Sequence, residues 1–180
     1  MKWISSSDVL SRLHEREALG HHIDPRLIQA VVSPGSLFFL TLDDEQSFLS
    51  LIWQEVDQTR ILTPQGMPRT LGDVAGRMVE HAWTFASLSQ PMGLPPTQHL
   101  PVAFESFGRI NSEFDFAEFD FVAVVAANDS ERRQSPHGTF YIYDGVHRTL
   151  VLAHRILTKQ SPYQPVEVLL ITPRRPFVGP

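Results

Sequence analysis

Between residues 144 and 149 the chain reads Asp-Gly-Val-His-Arg-Thr, and four of these six side chains carry usable chemistry. His147 brings a titratable donor, Arg148 a guanidinium fork and Thr149 a hydroxyl. The Asp144 carboxylate suits a hard cation such as magnesium, or can orient an attacking hydroxyl. Gly145 tolerates a positive φ and lets a ligand approach the backbone. If a helix starts directly after the glycine, its first N–H groups lack partners within the helix and its positive dipole end lies open. Cations are favoured at the opposite helix end, so His147 and Arg148 in a first turn oppose the dipole unless an anion arrives. That conflict between local preference and sequence points to a phosphate or other anion. The plainer alternative is a common Asp-Gly turn, with Asp144 as a helix cap and Arg148 in a surface salt bridge.

Two elements must hold such a turn. Phe140, Tyr141, Ile142 and Tyr143 are the β-branched and aromatic types that pack on a pleated sheet, and they predict a strand. Beyond the turn, Val146, Leu150, Ala153 and Leu157 recur at helical spacing, with Arg148, Arg155 and Lys159 on another face. Upstream, Ser5 to Asp8 offers caps for an amphipathic helix through Val9, Leu10, Leu13 and Leu19. Pro25 opens a second short helix with Leu27, Ile28 and Val31 turned inward. The run Leu37 to Leu42 predicts a buried strand, and Asp43 to Glu45 starts a helix through Phe48, Leu49, Ile52 and Trp53. Further strands are expected at 58–62, 99–104, 121–127 (a central one) and 166–171. Thr70 to Asp73 opens a helix carrying Val74, Met78, Ala82 and Phe85. Residues 90–96, rich in proline, must be loop, and the polar stretch 128–138 reads as a hairpin loop or flap. Glu113 to Asp120 alternates acid and aromatic, which suits an edge strand or loop.

The chain has 180 residues, a size suited to one domain. Its 42% hydrophobic content can build a core, and no apolar run approaches the ~20 residues of a membrane span. The amphipathic, charged start does not read as a signal peptide, and with no cysteine the expected location is cytoplasmic. The absence of cysteine excludes disulfides, thiolate catalysis and cysteine metal sites. A formal net charge of −5 argues against nucleic acid as a partner, because phosphate neutralisation needs a basic stripe. Arg132, Arg133, Arg148 and Arg155 could still form a local basic patch. The expected partner is a small-molecule substrate; oligomeric state is left open. Glu80 and Glu105 are candidate general bases only if they face a cleft. His22 and Asp24 have the local spacing of an iron triad, with His147 or His154 as third ligand, but Asp24 before Pro25 is explained equally as a cap.

The segment Tyr141 to Ala153, YIYDGVHRTLVLA, resembles the signature of the ParB/sulfiredoxin superfamily. Its turn is most similar to the Asp-Gly-His-His-Arg turn of free-serine kinases: Asp144, Gly145, His147 and Arg148 match, and Val146 replaces the first His. Ile61 to Met78 is similar to the family's early strand, Pro-x-x-x-Pro-Arg loop and following helix, and Pro101-Val102 and Val166 to Ile171 to its later strands. Residues 1–57 have no counterpart, and the span from Leu94 to Asp144 is longer than in compact members. The resemblance implies an α/β (α+β) domain over residues 58–180, a small mixed sheet flanked by helices, with residues 1–57 as an N-terminal helical extension packed on it. It implies a site for ATP or another nucleotide, with Mg2+ as a candidate companion. Asp144, His147 and Arg148 would then be catalytic, and Gly145, Thr149, Arg69 and Gln65 would hold the nucleotide. The most concrete activity implied is ATP-dependent phosphoryl transfer to a metabolite hydroxyl. A DNA-directed clamp or nuclease and a non-catalytic binding module are the alternatives. The sulfiredoxin reaction is disfavoured, because Val146 fills its cysteine position.

Overall fold

Two apolar runs, GSLFFLTL and VEVLLITP, form the longest strand pairing among the described residues. The computed structural model describes residues 2–18, 23, 25–33, 35–53, 70–84, 109–112, 121, 123–126 and 140–173. Strands β1 (Lys2–Ile4), β2 (Gly35–Leu42), β3 (Ala123–Ala126), β4 (Tyr141–Asp144) and β5 (Val166–Pro173) make one sheet in the order β1-β2-β5-β3-β4. β2 and β5 run antiparallel from Gly35↔Pro173 to Leu42↔Val166. β3 lies parallel to β5 and antiparallel to β4, so the sheet is mixed.

Alternation along the strands sorts side chains between two faces. Leu37, Phe39, Val124 and Leu169 meet Val9 and Leu13 of α1 (Ser6–Ala18) and Leu27 and Val31 of α2 (Pro25–Val32). On the other face Leu42, Val125, Ile142, Val168 and Leu170 pack under three helices. These are α3 (Glu45–Leu49), α4 (Leu71–Glu80) and α5 (Val146–Leu157), the last of which carries the motif. Among the described residues the result is a mixed α/β architecture with helices on both faces of a five-stranded sheet. Each large aliphatic side chain buried this way contributes about 1.5–3 kcal/mol relative to exposure.

Residues 1–57, expected as a helical extension, supply β1 and β2 as well as α1–α3. β2 is hydrogen-bonded to β5 along its whole length, so this part of the chain builds the sheet rather than covering it.

Two helices stop earlier than their apolar spacing suggests. α3 ends at Leu49, where the Ser50 N–H closes on Gln46 O. Ile52 is extended instead: its N–H donates to Phe140 O at 2.9 Å, and the Ile142 N–H donates to Ile52 O at 3.0 Å. Sheet hydrogen bonds along the edge of β4 thus override the local helical pattern. α4 starts as expected, with Thr70 and Asp73 forming a reciprocal capping box. It ends at Glu80 and not beyond Ala82. The Trp83 N–H reaches Met78 O at 2.8 Å and the Ala82 N–H reaches Val79 O at 3.0 Å, with Ala82 at φ 52°. This is a Schellman closure with alanine in the place glycine usually takes. α5 closes the same way, with Lys159 at φ 59° and the Gln160 N–H on Arg155 O at 2.8 Å.

The expected strands at 58–62 and 99–104, the acid–aromatic segment 113–120 and the loop 128–138 lie outside the described residues. Among those described, no helix is long and apolar enough to cross a membrane.

His154 sits on the buried side of α5, 7% exposed, and interacts with the Trp83 backbone at the end of α4. Burial pushes its pKa below the ordinary 6.5, a drop opposed only in part by Trp83. The unfolded chain therefore binds a proton that the folded chain resists, and stability falls as pH drops below about 6.5 towards the lowered folded value. Denaturant titrations at pH 7.5 and 5.5 should show a lower midpoint at 5.5, and His154→Gln should lose part of that difference. An unchanged pH dependence in the variant would show that His154 does not drive it.

Candidate anion site at the start of the motif helix

β4 ends at Asp144, and α5 begins at Val146. The single residue between them, Gly145, adopts φ 87° and ψ 19°, a left-handed conformation that costs other residues roughly 1–2 kcal/mol. With glycine at the N-cap, no side chain caps the first turn of α5. The Asp144 carboxylate takes a different role: Arg148 Nη2 donates to its Oδ2 at 3.3 Å, one helical turn on. Of the plainer alternative, the cap role for Asp144 is not adopted, but the salt bridge of Arg148 is.

Arg148 is largely covered, with 18% of its side chain exposed against 31% for Asp144. Burial pushes its pKa down, Asp144 opposes the drop and the charge of Arg16 on α1 adds to it. It remains a cation at ordinary pH. His147 is half-buried. Burial lowers its pKa, Arg148 acts in the same direction and Asp144 against it. The neutral imidazole is thus favoured near neutrality, a form that can accept a proton from a hydroxyl.

Thr149 does something other than expected. It is fully buried, and its Oγ1 donates to Gly145 O and Val146 O, each at 3.0 Å. The hydroxyl ties down the turn from inside and does not face a ligand. Arg155 is likewise committed elsewhere. Its Nε donates to Asn111 Oδ1 at 3.1 Å and its Nη2 to Asn111 O, which fastens the helical residues 109–112 to α5. Arg155 therefore does not join Arg148 in a patch. Glu80 is solvent-exposed at the end of α4. Gln65, Arg69, Glu105, Arg132, Arg133, His22 and Asp24 lie outside the described residues. His154 lies two turns along α5 from His147.

The structure adds residues that the sequence did not point to. Register carries Phe39 of β2 across Leu169 and Val124 to Asp144 in one row. Over this row runs α1, with Arg12 Cζ 5.3 Å from the centroid of the Phe39 ring. Arg16 follows one turn later. Both arginines are half-buried, whereas His14, Glu15 and Glu17 on the same helix are exposed. The Arg12/Arg16 spacing marks a shared helix face in the sequence, but nothing there ties that face to residue 148.

Two cavities flank α3. One of about 280 Å³ is lined by Leu40, Leu42, Asp43, Asp44, Leu51 and Phe140 among others. A wider one of about 670 Å³ lies between Gln46, Leu49, Thr70, Asp73 and Leu157. Neither is lined by a residue of the 144–149 turn. Among the described residues, no group of three or more His, Cys, Asp or Glu side chains could hold a metal ion.

Comparison with known proteins finds no matching family model, no matching curated protein and no matching solved structure.

The strained turn makes a direct test. Gly145→Ala should lower unfolding free energy by about 1–2 kcal/mol, measured by denaturant titration, because Cβ is disfavoured at φ 87°. A neutral substitution would show that the turn relaxes.

Proposed function

We propose that this chain binds the phosphate of a nucleotide or of a phosphorylated small molecule at the start of α5. One observation carries the proposal: a helix begins at a left-handed glycine without a side-chain cap, and a histidine and an arginine occupy its first turn. Amide N–H groups and the positive helix end favour an anion there, and Arg148 adds a forked donor. The resemblance of Tyr141 to Ala153 to the ParB/sulfiredoxin signature supports the same chemistry. It is the ground for assigning that fold family and for choosing ATP or another nucleotide as the ligand.

In its most concrete form the activity is ATP-dependent phosphoryl transfer to the hydroxyl of a small metabolite in the cytoplasm. Such transfer depends on neutralising phosphate charge and positioning the hydroxyl. Arg148 would supply the first, held in place by Asp144. The neutral His147 would accept the hydroxyl proton. Asp144 would act through its ion pair with Arg148, and the buried Thr149 would keep the turn in shape.

A second possibility is favoured by that same ion pair. A carboxylate engaged by Arg148 is poorly placed to hold magnesium or a hydroxyl, which suits a module that binds a phosphorylated ligand without turning it over. A DNA-directed role fits less well with a net charge of −5.

Thermal melts with ATP, CTP, ADP and pyrophosphate, with and without magnesium, test the proposal, since a ligand of the folded state raises its melting point. At least one should stabilise the wild-type protein. Arg148→Ala should weaken its affinity about tenfold or more, the loss expected for a charged hydrogen bond. Arg148→Lys, which keeps the charge, should retain part of it. Unchanged affinity in Arg148→Ala would overturn the site. Binding without product across candidate hydroxyl substrates would select the non-catalytic module.

A further inference from the structure

We propose that the cleft between α3, α4 and the far end of α5 is a second binding site, for a small organic cation: a protonated amine on a short aliphatic stem. It is separate from the anion site. Leu157, which lines the cleft, is the last residue of α5 and Val146 the first, about 16 Å apart along the helix. A molecule held here cannot take a phosphoryl group at the turn, because reacting atoms must approach within about 3–3.5 Å.

The cleft encloses about 670 Å³, a volume suited to a small molecule. Its rim is held by the sheet and the start of α4. The Leu71 N–H donates to Leu51 O at 2.7 Å, and Thr70 bridges to Ile52. A Cβ at Gly72 would sit 3.2 Å from Leu49 Cβ and 3.3 Å from Leu49 O, so α4 lies this close to α3 because residue 72 has no side chain. The capping box then fixes Asp73 beside the cleft. The Thr70 N–H, at 3.2 Å, and Thr70 Oγ1 both donate to its Oδ2, which leaves Oδ1 for a ligand. Arg77, one turn on along α4, lies 5.3 Å from the centroid of the Trp83 ring rather than on Asp73.

The other polar groups are mainly acceptors. Ser50 Oγ gives its proton to Ser47 O at 2.8 Å, and Thr70 Oγ1 gives its own to Asp73, so both oxygens are left to accept. The exposed Gln46 adds an amide that serves either way. The negative dipole end of α5 opens here and favours a cation, while the positive end of α4 is met by Asp73 itself. Among the described residues lining the cleft there is no Lys, Arg or His, and Lys159, just past α5, is exposed and does not line it. An anion would thus meet Asp73 without a counter-charge. A cation with several N–H donors matches these acceptors, and Leu49 and Leu157 offer apolar surface to its stem.

Protein-observed NMR titration with butylammonium, butanol and butanoate, which share a stem and differ in head group, tests this. Butylammonium should give saturable shifts at residues 46–50, 70–73 and 157, with butanol about tenfold weaker or more and butanoate silent. Asp73→Asn, which keeps the side-chain shape and a cap acceptor, should weaken butylammonium by about tenfold. Gln46→Trp should block the cleft from an exposed position and abolish the shifts. Asp43→Asn, on the smaller cavity across α3, should stay within about twofold of wild type, as suits a screened charge outside the site. Melting curves establish that each variant is folded. Absent or unsaturable shifts in the wild-type protein would overturn the site, as would wild-type affinity in folded Asp73→Asn or Gln46→Trp. Equal binding of the three head groups would overturn the cation assignment, and so would an equal loss in Asp43→Asn, which would mean a diffuse negative field. Pyrophosphate binding at the start of α5 stands or falls separately from each of these results.

Discussion

The last strand in sequence is a middle strand in space. β5 pairs with β2 on one side and β3 on the other, and its Val168, Leu169 and Leu170 are buried on both faces. Until residues 166–173 insert, β1–β2 with α1 and α2 has no connection through the sheet to β3–β4. Every other feature follows from that insertion. α5 must cross one face to deliver the chain from β4 into β5, and α1 must lie on the opposite face, above the same strands. Pairings this distant in sequence carry a loop-closure cost, which the double-sided burial of β5 offsets.

The motif turn is placed by this arrangement and in turn supports it. α5 is buried on most of its circumference, through Leu150, Val151, Ala153, His154 and Ile156. A helix so constrained cannot rotate to relieve a poor first turn, so Gly145 takes the left-handed conformation and Thr149 ties its hydroxyl to the turn carbonyls. The half-buried His147 and Arg148 are then held where the helix dipole opposes them. Structural need alone would sooner place an acid there. The ion pair to Asp144 moderates the conflict without removing it.

Much of the framework was legible in residue types. The strands at β2, β4 and β5, the proline-led α2 and the start of α4 at Thr70 to Asp73 all follow from alternation, propensity and helix-start signals, which are local. The two misplaced boundaries have different causes. Ile52 has the spacing of a helical residue, yet its amide and carbonyl go to Phe140 and Ile142. Ala82 continues an apolar stripe, yet the chain closes at Trp83. At Ile52 the winning hydrogen bonds came from outside the local window, whereas α4 closes on its own Met78 and Val79 carbonyls. The expectation of a helical extension failed to give enough weight to a strand already apparent at Leu37 to Leu42. Its partner lies over a hundred residues away.

The sequence by itself determined the chemistry carried at the turn: a glycine able to take a positive φ, a histidine, an arginine and a threonine opening an amphipathic helix after a strand. It also determined which reactions are excluded, because a chain without cysteine has no thiolate to offer. Only the tertiary structure decided which groups could act together. It turned Thr149 inward, took Arg155 to Asn111, paired Asp144 with Arg148 and brought α1 over the row that ends at Asp144. The reason is physical. Residue type sets what a side chain can do, but burial and neighbours set by strand order determine what it faces, and strand order here depends on contacts between opposite ends of the chain.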